Sequence, residues 1–195
     1  MTWSTGSSSN FNGHYGVEVF DTFTWKFIRR VHPTWAQFEM GYDALGKELF
    51  FAAAGNTADD LHSFQIPGLA LGDLIAVEVD TGMGRKLLGF PSRGPFSMAY
   101  ASGQPKYLFL SVEARSDNAE KLWAPYWGEI LAVPTDGSGK VIRLVHHRSR
   151  LVGTYSYTPN ILVNNKGTKI VFKSTFGVGG PDLYMFDVNL SSPSN

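Results

Sequence analysis

Cysteine is absent from the 195 residues, which removes disulfides, a thiolate nucleophile and Cys-ligated zinc. Charge of one sign is lacking too. Lys+Arg 17 balance Asp+Glu 17, so no global field would gather nucleic acid or an anionic membrane, and neither partner is expected. Attraction for an acidic ligand has to be local. Long apolar runs are also missing: no segment approaches the roughly 20 apolar residues of a membrane span. The opening MTWSTGSSSN has neither the basic start nor the apolar core of a signal peptide. The chain as written is expected to be soluble and to carry no address of its own. There is no GxSxG, no P-loop and no glycine pattern of the dinucleotide type, and Gly177-Val178-Gly179-Gly180 links two strands without a following helix.

What is there points to β structure. Apolar residues make up 43% of the chain and aromatics 14%, with 21 glycines and 10 prolines, a balance that favours many short strands with tight turns. Period-two alternation predicts a hairpin from Val17–Asp21 and Lys26–Val31. Next come Phe38–Tyr42 and Glu48–Ala53, then Leu74–Asp80 and Arg85–Gly89. A third pass reads Phe96–Tyr100, Lys106–Val112, Glu129–Val133 and Val141–Val145, and a fourth Ile161–Val163, Lys169–Ser174 and Leu183–Val188. The acids that close the third strand of each pass, Asp21, Asp80, Asp136 and Asp187, are 59, 56 and 51 residues apart.

Four antiparallel strands repeating every 50 to 60 residues predict an all-β fold, a β-propeller of four-stranded blades. A jelly roll also supplies short strands, but it would not repeat one strand–turn–strand–loop order. With strands labelled a to d outward, the chain reads b-c-d, then a-b-c-d twice, then a-b-c, about three and a half blades. An incomplete ring is expected, in one domain over residues 1–190 with a frayed polar tail at 191–195. Self-association, or pairing with a missing propeller half, would close it.

Asn165-Lys166-Gly167-Thr168-Lys169-Ile170-Val171-Phe172-Lys173-Ser174, followed by Asp182-Leu183-Tyr184-Met185-Phe186-Asp187-Val188, carries a further signal. It resembles the DGxxIxFxS…DIYxxD repeat of Tol-type periplasmic propellers and of the propeller-fold polysaccharide lyases, the ulvan and oligogalacturonate lyases. Glu129–Pro134 and Arg143–Ser149 look more like the lyase relatives. The resemblance implies a periplasmic or secreted protein acting on a polysaccharide or oligosaccharide.

In this topology the b-to-c and d-to-a loops share one face. His14 and His62 fall in b-to-c loops and His32, His146 and His147 at d-to-a loops, so all five histidines are expected there. Arg93, Arg148, Arg150, Tyr155 and Tyr157 of d-to-a loops join them, with Trp123, Tyr126 and Trp127 of a b-to-c loop. β-Elimination from a uronate polymer wants such a set. A cation neutralises the carboxylate, a His or Tyr takes the C5 proton, and another protonates the leaving oxygen. His14, His146, His147 and Tyr155 are the candidates for proton transfer. Arg93, Arg148 and Arg150 are candidates for carboxylate or sulfate binding, and Trp123, Tyr126 and Trp127 for stacking on sugar rings. Equally, His146 could cap its strand, Tyr155 and Tyr157 could be half-buried strand residues, and the tryptophans could plug their own loop.

The same resemblance implies a divalent metal held by histidines and a glutamine in the loop that aligns with His146–Pro159. Here Tyr157-Thr158-Pro159-Asn160 stands where a Gln-Pro-His continuation would, so that metal is not carried over. A site built from three of His14, His32, His146 and His147 stays open.

Overall fold

The computed structural model describes residues 16–33, 37–54, 64, 66–90, 96–113, 125–149, 159–176 and 180–190. All regular structure among them is β: β1 (Val17–Phe20), β2 (Phe27–His32), β3 (Phe38–Tyr42), β4 (Glu48–Ala53), β5 (Leu74–Glu78), β6 (Gly84–Leu88), β7 (Phe96–Tyr100), β8 (Tyr107–Val112), β9 (Glu129–Pro134), β10 (Ile142–His146), β11 (Ile161–Val163), β12 (Lys169–Ser174) and β13 (Asp182–Asp187). They form four antiparallel sheets: β1-β2, β3-β4-β5-β6, β7-β8-β9-β10 and β11-β12-β13. The expected strand order is therefore present, with ends shifted by one or two residues. The b strand expected ahead of Val17, and the 191–195 tail, lie outside the described residues.

Contacts divide the chain into two compact units, residues 1–93 with 135–139, and residues 94–134 with 140–195. In the first, Val17 and Val31 of the β1-β2 hairpin pack on Phe50, Ala52, Ile75 and Val77. In the second, Ala99, Phe109, Ile130 and Ala132 of one sheet pack on Ile161, Ile170 and Phe172 of the next. Burial on both faces accounts for the apolar runs that period-two alternation alone would not give. Leu49 to Ala52, Leu108 to Leu110 and Ile130 to Val133 are each at most 1% exposed, because both faces of these middle strands are covered.

Turn chemistry sets the register. The Asn164 side-chain oxygen accepts from the amides of Thr168 (2.9 Å) and Lys169 (3.0 Å), closing the β11-β12 turn. Gly167 stands at φ +68, where a Cβ would lie 2.7 Å from that of Gln104. Two of the repeated acids cap their turns in the same way. Asp21 accepts from the Thr24 amide and hydroxyl, and Asp136 from the Ser138 amide. Those donors hold both carboxyls below the usual carboxylate range. Asp187 instead ends β13 in an ion pair with Lys169.

Candidate functional site

The second unit gathers its chemistry where β8 ends, β9 begins and β10 ends. With strand order β10-β9-β8-β7, the β8-β9 loop and the chain leaving β10 emerge on the same side, as the blade labelling requires. Strand alternation then separates two neighbouring histidines: His146 is exposed and His147 is fully buried.

His147 is committed to the main chain on both sides of its ring. Nε2 lies 2.9 Å from the Val112 carbonyl oxygen, and Nδ1 lies 3.0 Å from the Ser149 amide nitrogen. Since the Ser149 N–H must donate to Nδ1, the neutral ring carries its proton on Nε2 and donates it to Val112. Burial pushes the pKa down to about 4. The His147 backbone is fixed as well. Its N–H donates to Gly128 O (2.8 Å), and its carbonyl accepts from the Ser174 hydroxyl (2.6 Å), which in turn accepts from the Phe176 amide (2.9 Å). His147 thus ties β8, β9, β10 and β12 together at one point, and with no lone pair to spare it is a positioning residue.

His146 follows the same rule on the surface. Its Nδ1 accepts from the Arg148 amide at 3.0 Å, so the neutral ring presents an N–H at Nε2. The ring lies on Gly128, where a Cβ would come within 2.5 Å of Nε2, and Gly128 itself sits at φ +75. Only glycine meets both demands.

Arg148, at φ 53, turns outward from this anchor and places its guanidinium 5.7 Å from the centre of the Phe176 ring. That guanidinium has no ion pair or hydrogen bond among the described residues. Tyr126 (φ 71) and Phe176 (φ 46) share the left-handed backbone region, so three of the four non-glycine residues with positive φ among the described residues belong to this cluster. Tyr126 and Trp127, in the turn that leads to Gly128, are half-buried. Below them, Arg143 pairs with Glu129, with Nε 2.6 Å from Oε2, which holds the guanidinium pKa up.

Of the expected site residues, the structure brings together His146, His147, Arg148, Tyr126 and Trp127. His14, His62, Arg93, Trp123, Arg150, Tyr155 and Tyr157 lie outside the described residues. His32 belongs to the first unit, where it is 1% exposed, lies 2.8 Å from the Ala53 carbonyl through Nε2, and packs against Phe50 and Phe64. Among the described residues no group of three or more His, Cys, Asp or Glu could hold a metal ion. Sequence reasoning missed Gly128, Ser174 and Phe176. The Tyr-Trp-Gly ahead of a strand could have flagged Gly128, whereas Ser174 and Phe176 carry no local signal.

No protein-family model matches the chain, and no curated protein matches it. Among solved structures, the crystal structure of TolB from Acinetobacter baumannii is similar, with a TM-score of 0.52 and 11% identity over 89% of this chain. This chain spans 35% of the length of that protein. At such identity the likeness speaks for the fold alone, and with the repeated antiparallel sheets it gives the chain a β-propeller-type fold.

Proposed function

We propose that the chain is a carbohydrate-binding β-propeller that holds an anionic, uronate-containing glycan at the His146–Arg148 corner of its second unit. The observation that carries this reading is the Arg148 guanidinium. It is anchored at its own main chain, stacked on Phe176, and not engaged by any acid among the described residues. A planar fork held in this way suits a carboxylate or sulfate. His146 adds an N–H donor, and the half-buried Tyr126 and Trp127 offer ring surface to a sugar. Binding is favoured over β-elimination because His146 and His147 both spend the lone pair of Nδ1 on a backbone amide.

The test is titration of the protein with pectate, ulvan and an uncharged polysaccharide, for the native chain and for Arg148→Asn, which keeps the left-handed backbone at low cost. Acidic polymers should bind in a salt-sensitive way and lose about tenfold in affinity with Arg148→Asn. Equal binding of the uncharged polymer, or no binding of any, overturns the proposal.

A polysaccharide lyase is the second reading, supported by the repeat resemblance and by the Arg, Tyr and His composition of this corner. Its proton acceptor would have to come from beyond His146 and His147, with Tyr155 the first candidate. Appearance of unsaturated uronate product, lost in Tyr155→Phe, would establish it, and no product from any uronate polymer would remove it.

A further inference from the structure

The sheets of this chain stop at different widths. Two have four strands, while β11-β12-β13 has three, and β13 presents an outer edge with no strand beside it among the described residues. Its broad face is open as well. Leu162, Val171 and Met185 stand directly opposite one another across the three strands, with Leu183 two residues along from Met185. Leu162 is 72% exposed, Leu183 75% and Met185 63%. The corresponding row of the neighbouring sheet is Ala99, Phe109 and Ala132, with Ile130 in the place of Leu183. There the same positions are 0 to 6% exposed, because the β11-β12-β13 sheet covers them. An apolar row that one sheet buries, the next leaves wet.

What fits this edge can be read from the three outermost strands that the chain already has. Ile28-Arg29-Arg30-Val31-His32 in β2 and Ile142-Arg143-Leu144-Val145-His146 in β10 differ at one position, and Gly84-Arg85-Lys86-Leu87-Leu88 in β6 keeps the arginine and the apolar fourth residue. In each case an arginine of the outermost strand pairs with an acid of the strand beside it, at differing positions: Arg30, next to the shared arginine, with Glu18; Arg85 with Glu78 at the last residue of β5; and Arg143 with Glu129 at the first residue of β9, which is the pair that bears on β13. On β13 the position of Glu129 is held by Asp182, since Ile130 lies opposite Ser111 and Leu183 opposite Lys173. Asp182 is exposed and has no cation partner among the described residues.

We infer that β13 takes up an arginine-bearing strand of this same type, which adds antiparallel at the edge, sets its arginine on Asp182 and extends the Leu162–Val171–Met185 row. Charge selects this occupant over a second copy of β13. Antiparallel pairing of β13 with itself in full register would bring Asp182 of each strand toward Asp187 of the other, two pairs of carboxylates offset only by the Lys169 ion pair to Asp187.

The experiment uses the full chain and a labelled peptide with the sequence of Lys140–Arg148, followed by fluorescence anisotropy. Saturable binding is expected, weakened several-fold by Asp182→Lys in the protein or by Arg143→Glu in the peptide, and recovered when the two changed partners are combined. Failure of the peptide to bind, or equal binding to the native and Asp182→Lys proteins, overturns the inference. So does a discrete dimer that Asp182→Lys strengthens, because the edge would then belong to a second β13. None of these readouts depends on the glycan site, which lies where β10 and the β8-β9 loop meet.

Discussion

His147 shows how one buried side chain can fix the corner proposed as a binding site while its own ring is spent on the main chain. Its neutral form is required in the folded chain, and its pKa falls from the ordinary 6.5 to about 4 through burial. Between those values the unfolded chain takes up the proton and the folded chain does not, so the stability contributed is complete above about pH 6.5 and declines as pH falls toward 4. The decline amounts to about 3 kcal/mol. Chemical denaturation at pH 7.5 and 4.5 should show it, and His147→Gln should flatten the difference. Gly128→Ala is expected to cost about 2 kcal/mol, through its φ of +75 and the displaced His146 ring, and the change in the His146 ring signals would report it by NMR. The sequence marked both histidines as candidates and offered His146 as the possible cap of its strand, whereas the anchoring role falls to His147. The decision rests on which side chain the end of β10 turns inward, a property of pairing that composition does not carry. Arg148 was legible as a cation, but its ring partner Phe176 arrives from another sheet.

At the scale of elements, the two four-stranded sheets tie their outer strands by different chemistry at equivalent ends. Where β7-β10 uses the His147 ring, β3-β6 uses Asp73, 1% exposed, at the start of β5. Its carboxylate accepts from the Ala70 amide (2.8 Å) and the Phe90 amide (3.0 Å) and pairs with Lys86 at 2.6 Å. Removing the acid leaves a half-buried ammonium and two amides unsatisfied, so Asp73→Ala is expected to cost about 3 kcal/mol, and Lys86→Ala less, in thermal or denaturant unfolding. Strand positions were readable because alternation and Gly, Asn or Asp turns act locally. Strand ends were less so: Leu74–Asp80 shortens to Leu74–Glu78 because the chain already turns at Val79, with the Gly82 amide donating to Glu78 O.

Across the molecule, the spacing of Asp21, Asp80, Asp136 and Asp187 was enough to foretell the sheet order, since each unit repeats the same pairing and the same packing face. Function was less legible because the repeat records how sheets stack, while a site depends on loops that differ from one repeat to the next. The open face of β11-β12-β13 has a consequence for handling. The chain is expected to self-associate as its concentration rises, and Leu183→Lys with Met185→Lys should reduce that association in sedimentation while changing stability by less than about 1 kcal/mol.

The left-handed turn at Arg148 carries a last consequence. The backbone from His147 to Ser149 is fixed from beneath, by the Ser149 amide on the His147 ring and the Ser174 hydroxyl on the His147 carbonyl, and its hydrogen bonds involve no atom of the side chain at 148. A family of variants could therefore exchange that one group, with asparagine, aspartate or glycine all suited to its φ of 53, and redirect what the corner recognises while inheriting the fold unchanged. The side chain at 148 is replaceable in a way that the anchor is not.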